Sequence, residues 1–122
     1  MFSPDQIKSQ KYISLETYRK NRQGVRTPVW FVIKNNLILI VTRDQTGKIK
    51  RLRNNQKVKI ATCSIKGKTS MSMIPGTAQI LTEDETANAV KLRDKKYGFF
   101  SKVAKFLTKN KGSLVAISVK IN

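Results

Sequence analysis

Short apolar runs bounded by turn residues dominate the chain as far as Leu81, and helical periodicity takes over from Thr82 to Lys109. Tyr12–Tyr18 alternates, with Ile13 and Leu15 on one face and Thr17 continuing it, the period of a half-buried strand. Asn21 to Gly24 reads as a turn. Val25 to Ile33 is rich in β-favouring residues and leads through Asn35-Asn36 into Leu37–Thr42, and that Asn pair suits a tight hairpin with left-handed residues. Val58–Ile65 predicts a further strand, turned at Lys66-Gly67-Lys68. Ser70–Leu81 predicts a long one with a bulge or bend at Pro75-Gly76, and Leu114–Ile121 closes the set. So many strands on short connections predict a barrel rather than alternating βαβ units.

The helices are fewer. Ser3-Pro4 supplies an N-cap and a first helical position for a short helix ending near Lys11. A basic helix is expected over Lys48–Asn54. Thr82-Glu-Asp-Glu85 is a capping box, with acidic residues where a helix N-terminus favours them. The helix it opens is expected to reach Tyr97, to break at Gly98 and to be followed by another over Phe99–Lys109. In that last segment Phe99, Phe100, Val103, Phe106 and Leu107 form an apolar stripe opposite Lys102, Lys105 and Lys109. Such a helix could lie on a membrane, but packing on the barrel or at a dimer contact is the favoured reading.

Composition narrows the chemistry. At 122 residues the chain is expected to form a single domain spanning 1–122. No apolar run approaches a membrane span and the N-terminus lacks a signal pattern, which predicts a cytoplasmic protein. Cys63 is alone, so no disulfide framework exists, and it is expected to be an inert buried thiol. Histidine is absent, which removes imidazole acid–base catalysis, serine–histidine triads and most zinc sites. Twenty-five basic residues oppose seven acidic ones, a net charge of +18. From Arg43 to Lys68 there are nine basic residues against Asp44 alone. Such a field attracts polyanions, whether nucleic acid, anionic lipid or a phosphorylated cofactor.

The sharpest local signal is Val41–Asn55. A strand ending at Thr42, a turn at Gly47 and a basic helix opening at Lys48 would bring free amides, a hydroxyl and an ammonium to one phosphate. The plain alternative is a turn glycine and solvated lysines. Arg26 opens a neighbouring strand and could supply a second cation, or could serve as a gatekeeper of an edge strand. Lys48 and Arg51, three apart, share a helix face, whereas Lys50 and Arg53 are expected in solvent. Trp30 and Phe31 could stack on a ring system, although core or interface packing is their commoner use.

Taken together, Arg26-Thr-Pro-Val-Trp-Phe31, Ile40-Val-Thr42, Gly47-Lys-Ile-Lys-Arg-Leu-Arg-Asn-Asn55 and Lys57-Val-Lys-Ile-Ala-Thr-Cys63 closely resemble the pyridoxamine-phosphate-oxidase-like family, and within it the small deazaflavin-dependent oxidoreductases. Gly76-Thr-Ala78 and Lys95-Lys-Tyr-Gly98 extend the likeness over nearly the whole chain. The resemblance implies a mainly β fold, a split β-barrel with a few peripheral helices, in a homodimer holding coenzyme F420 or FMN at the subunit interface. It assigns the cofactor phosphate to Arg26, Thr42 and Lys48, with Gly47 giving close backbone access and Arg51 near the phosphate or tail. Thr27, Pro28 and Val29 would run beside the tricyclic ring, and Val41 belongs to the same site. Gln56 stands where the family usually carries proline.

The functional expectation is an oxidoreductase moving hydride between the cofactor and an unidentified small-molecule substrate. The cofactor would carry the redox chemistry, which is how a chain without histidine could be an enzyme. The basic excess suits the poly-glutamate tail of F420 better than FMN. No catalytic residue is singled out; Tyr97, Ser70 and solvent are candidate proton donors. Alternatives are a non-catalytic flavin carrier and a nucleic-acid-binding module, the latter disfavoured because Arg43–Lys68 contains no aromatic residue on which bases could stack.

Overall fold

A computed structural model describes residues 2–122. After a 3-10 turn at Pro4–Ile7 come strands β1 (Ile13–Tyr18), β2 (Gly24–Val29), β3 (Val32–Lys34) and β4 (Leu37–Arg43), then helix α1 (Gly47–Asn54). Strands β5 (Lys57–Thr62) and β6 (Ile74–Ile80) precede helices α2 (Glu83–Tyr97) and α3 (Phe99–Thr108), and β7 (Leu114–Ile121) ends the chain. The strands form one antiparallel sheet in the order β2-β1-β5-β6-β7-β4-β3.

That order explains the curl. β2 and β3 occupy opposite edges of the sheet, yet only Trp30 and Phe31 separate them. Three Cα-to-Cα steps reach at most about 11 Å, so the two edges must come together in space. The barrel closes there through a chain corner rather than through a hydrogen-bonded ladder: it is split. The continuous strand expected over Val25–Ile33 is therefore broken at Trp30-Phe31, because one strand cannot belong to both edges. The Tyr97 hydroxyl staples this corner. It accepts from the Phe31 amide at 3.1 Å and lies 2.7 Å from the Lys11 carbonyl.

Alternation sorts the side chains. Ile38 and Ile40 of β4, Ile13 and Leu15 of β1, Ile60 of β5 and Ile117 and Val119 of β7 fill the barrel together with Phe31. Ile49 and Leu52 join that core from α1, which plugs one end of the barrel. The opposite face of β4 and β7 packs Leu39 and Ala116 against Ala89 of α2. The Thr82 capping box is formed as expected, with the Thr82 hydroxyl accepting from the Glu85 amide at 3.2 Å and Glu85 accepting from the Thr82 amide at 3.0 Å. Asn35 and Asn36 make the hairpin turn with φ of 52° and 63°, the left-handed geometry their side chains tolerate.

Four expectations need correction. The N-terminal helix is one 3-10 turn, ending at Ile7 rather than Lys11. The strand expected to reach Ile65 ends at Thr62, after which Cys63 pairs with Thr69 in a single bridge. The strand expected from Ser70 begins at Ile74. The apolar stripe of α3 is not packed on the barrel. Its Phe99, Phe100, Phe106 and Leu107 are 65–73% exposed, because α3 turns its smaller Ser101 inward instead. Cys63 is half-buried.

Gly76, in β6, has no room for a side chain: a Cβ there would lie 2.9 Å from the Lys120 carbonyl oxygen and 3.0 Å from Val119. The Lys120 oxygen belongs to the paired strand β7 and cannot swing aside. Gly76→Ala is expected to destabilise the fold by about 1–3 kcal/mol, the usual cost of overpacking, read as a lowered urea midpoint.

Candidate functional site

The split leaves a cavity between the β2–β3 corner, the end of β4, the start of α1 and helices α2 and α3. It has a volume of about 330 Å³, and Pro28, Val29, Trp30, Val41, Thr42, Lys48 and Arg93 are among its lining residues. Alternation places Thr42 in the same inward row as Ile38 and Ile40, at the barrel end that α1 plugs. Val41, on the opposite face of β4, meets the cavity from the α2 side. A second cavity of about 440 Å³, lined in part by Lys96, Tyr97 and Phe100, shares Tyr12 and Trp30 with the first.

The start of α1 is built as an anion receptor. Thr46 occupies the N-cap position, but its hydroxyl donates backwards to the Arg43 carbonyl at 2.8 Å and caps none of the helix amides. The first turn carries no acidic residue. Its amides are thus left to an incoming acceptor, and the helix dipole favours a negative one. Lys48 adds a charge. Burial, with a smaller contribution from the neighbouring Arg51, pushes its ammonium below the ordinary lysine range. Lys48 makes no ion pair among the described residues. An ammonium in that position gains most from a bound anion.

Five of the nine residues expected at the site line the cavity: Pro28, Val29, Val41, Thr42 and Lys48. Four do not. Thr27 alternates away from Pro28 on β2. Gly47 lies beneath the Arg51 side chain, whose Nη1 would be 2.8 Å from a Cβ at that position. Arg51 turns instead to β1, where its Nε donates to the Thr17 hydroxyl at 2.6 Å. Arg26 is engaged with Glu16 across the β1–β2 ladder, Nε to Oε1 at 2.9 Å, so it does not close a clamp with Lys48. Burial alone would raise the Glu16 carboxyl, but hydrogen bonds from Arg26 and Tyr18 hold it below its ordinary value. Arg26 and Pro28 share a face of β2, one pleat apart. As expected, Lys50 and Arg53 are exposed while Lys48 and Arg51 are half-buried. Gln56 does not loosen the turn after α1: its side-chain amide donates to the Leu52 carbonyl at 2.7 Å and finishes the helix.

Sequence reasoning missed the α2–α3 wall. Arg43 spends its guanidinium on the chain, donating to Thr108 Oγ1 at 3.2 Å, the Gly112 carbonyl at 3.2 Å and the Lys105 carbonyl at 2.9 Å. It ties the end of α3 to β4. Arg93 and Lys111 also line the cavity, and nothing in their local sequence separates them from other basic residues. Trp30 stacks on Tyr97, with ring centroids 4.3 Å apart and planes 8° from parallel. Lys96 donates to the Gln10 carbonyl at 2.7 Å and the Phe31 carbonyl at 2.9 Å, and burial lowers its ammonium to about 8. Tyr97, pushed up to about 12 chiefly by burial, holds the corner and is a poor proton donor near neutrality. Ser70 is bonded to Thr62, 2.6 Å between hydroxyls, away from this cavity. Tyr97→Phe would leave the Phe31 amide and Lys11 carbonyl without that partner. It is expected to cost about 1–3 kcal/mol, measured by denaturant unfolding.

A seven-stranded antiparallel sheet, curled until its edges meet beside a basic cavity, is a split β-barrel. A model of the family "Pyridoxamine 5'-phosphate oxidase" matches residues 4–122, and the chain belongs to that family. Among solved structures it is similar to the conserved hypothetical protein Rv2991 from Mycobacterium tuberculosis, with 16% identity over 100% of this chain and 82% of the other, at a TM-score of 0.74. It is also similar to HutZ, described as a heme storage protein, from Vibrio cholerae, with 11% identity, 100% and 92% coverage and a TM-score of 0.71. A third likeness is to an F420-H2 dependent reductase, FDR-A, with 17% identity, 89% and 93% coverage and a TM-score of 0.65. At these identities the structural likeness speaks to fold. A comparison with curated protein sequences gave no match. Among the described residues no helix is long and apolar enough to cross a membrane.

Proposed function

We propose that this chain is an oxidoreductase that binds a flavin-type cofactor, coenzyme F420 or FMN, in the cavity at the barrel split. The observation that carries the reading is the meeting of Thr42, Lys48 and the uncapped start of α1 at one cavity with no carboxylate in its lining. The phosphate would be held by the Thr42 hydroxyl, the Lys48 ammonium and the α1 amides. Pro28 and Val29 would lie along the ring, with Val41 beneath it. In this reading Arg51 and Gly47 support the phosphate loop from behind, and Arg26 joins only by exchanging Glu16 for the ligand.

When bound, the cofactor supplies hydride transfer to or from a small-molecule substrate. The chain supplies position and field. The adjoining cavity beside Trp30 and Phe100 is the natural approach for a substrate, and a homodimer partner would cover this open side. The heme binding described for HutZ is not carried over. These 122 residues contain no histidine, and neither Cys63 nor any methionine lines the cavity, so the usual imidazole and sulfur iron ligands are missing from it. Turnover of reduced cofactor with candidate acceptors separates an oxidoreductase from a carrier.

A further inference from the structure

Four cations line the cavity at the split: Arg43, Lys48, Arg93 and Lys111. Three have an account. Arg43 is saturated by the chain, Lys48 lies at the start of α1, and Lys111 is exposed to solvent. Arg93 has none. It is only 6% exposed, and its Nε and Nη2 are enclosed with no hydrogen-bond partner. The nearest acid, Asp94, comes no closer than 3.6 Å between Nη2 and Oδ1, which is an ion pair but not a hydrogen bond. Asp94 is committed elsewhere: its Oδ2 accepts from Lys105 at 3.0 Å, so it ties α2 to α3.

A buried guanidinium without hydrogen bonds is costly, since its desolvation is repaid only by a well-placed acceptor. Burial, and in smaller measure the neighbouring Arg43, disfavour its charged form, opposed by Asp94. Two guanidinium groups on one cavity wall repel each other unless an anion joins them. The unpartnered pair is also informative in shape. Nε and a terminal nitrogen form one edge of the guanidinium fork, spaced to match the two oxygens of a carboxylate or phosphate.

We propose that Arg93 is a second oxyanion-binding residue of this cavity, taking a carboxylate or phosphate group other than the one at Thr42 and Lys48. This builds on the cofactor reading, in which the cofactor phosphate occupies the α1 end. The Arg93 oxyanion belongs either to a separate anionic substrate or to the carboxylate tail of F420.

The test is titration of ¹⁵N-labelled protein with inorganic phosphate, following the Arg93 side-chain Nε–H resonance. The expected result is a saturable shift of that resonance. In Arg93→Lys, which keeps the charge but loses the fork, the phosphate affinity read from backbone amides around the cavity should fall about tenfold, the value of one strong hydrogen bond. An Arg93 resonance that ignores phosphate up to high concentration overturns the proposal and leaves Arg93 a partner of Asp94 alone; this reading needs no variant to fold. Repeating the titration on protein saturated with FMN or with F420 separates the sources. A phosphate response blocked by F420 but not by FMN assigns the subsite to the tail, and one that survives both assigns it to a substrate. The two readings fail separately: cofactor affinity unaffected by Lys48→Ala removes the cofactor reading while an Arg93 response to phosphate stands.

Discussion

Lys48→Ala is expected to weaken FMN or F420 binding by about 1.5–3 kcal/mol, the range for hydrogen bonds to charged groups, on the order of tenfold to a hundredfold in Kd. The side chain is half-buried beside the uncapped start of α1, and its ammonium has no acidic partner among the described residues. Truncation therefore removes a charge that serves the ligand and leaves no carboxylate orphaned. Folding stability should hold or rise slightly, since an ammonium disfavoured by burial and by Arg51 is gone. Arg26→Ala is the informative contrast. Arg26 is spent on Glu16, so its removal should weaken binding less than loss of Lys48 does. Isothermal titration of both variants gives the comparison, and equal losses would mean that Arg26 leaves Glu16 for the ligand.

Ile40→Ala is the largest expected effect on stability, a loss of about 2–5 kcal/mol. Ile40 is fully buried on the inward face of β4, in one cluster with Ile38, Ile117 and Ile49. Three missing carbons at the centre of a barrel leave a cavity that a curled sheet cannot collapse around, because each inward residue is fixed by the register of its strand. The same strand carries Thr42 two residues on, in the same row. A variant that still folds should hence also bind cofactor less tightly, which Lys48→Ala in a stable background does not confuse. Chemical denaturation measures the first effect and titration at low temperature the second.

What could be read from the sequence was local. The Asn35-Asn36 hairpin, the Thr82–Glu85 capping box, the break at Gly98 and the Lys48/Arg51 face of α1 all rest on interactions between residues a few positions apart, and all are present. The barrel followed from strand count, and its split form from the family resemblance. The errors are tertiary. Alternation could not show that Val29 and Val32 belong to opposite edges of the sheet, because that depends on where β1 and β4 find their partners. Amphipathic spacing in α3 foretold an apolar stripe correctly but not which side would face the protein; Ser101 and the Lys105–Asp94 pair settle that by fitting close to α2.

The site divides in the same way. Thr42 and Lys48 were legible because a strand, a turn and a basic helix are contiguous, and the structure brings both to one cavity. Arg26 read as a partner cation because it opens a neighbouring strand, and only the register shows Glu16 opposite it. Arg43 and Arg93 were invisible among twenty-five basic residues. Their environments distinguish them: one saturated by α3 and the β7 approach, the other buried without a hydrogen bond.

The central claim is that the cavity at the split holds a flavin-type cofactor by its phosphate. Titration of the purified protein with FMN and with F420, followed by fluorescence, tests it most directly. The account predicts saturable binding of at least one of them with a Kd in the micromolar range or tighter, weakened on the order of tenfold or more by Lys48→Ala. No binding of either cofactor, or binding that Lys48→Ala leaves unchanged, would contradict it.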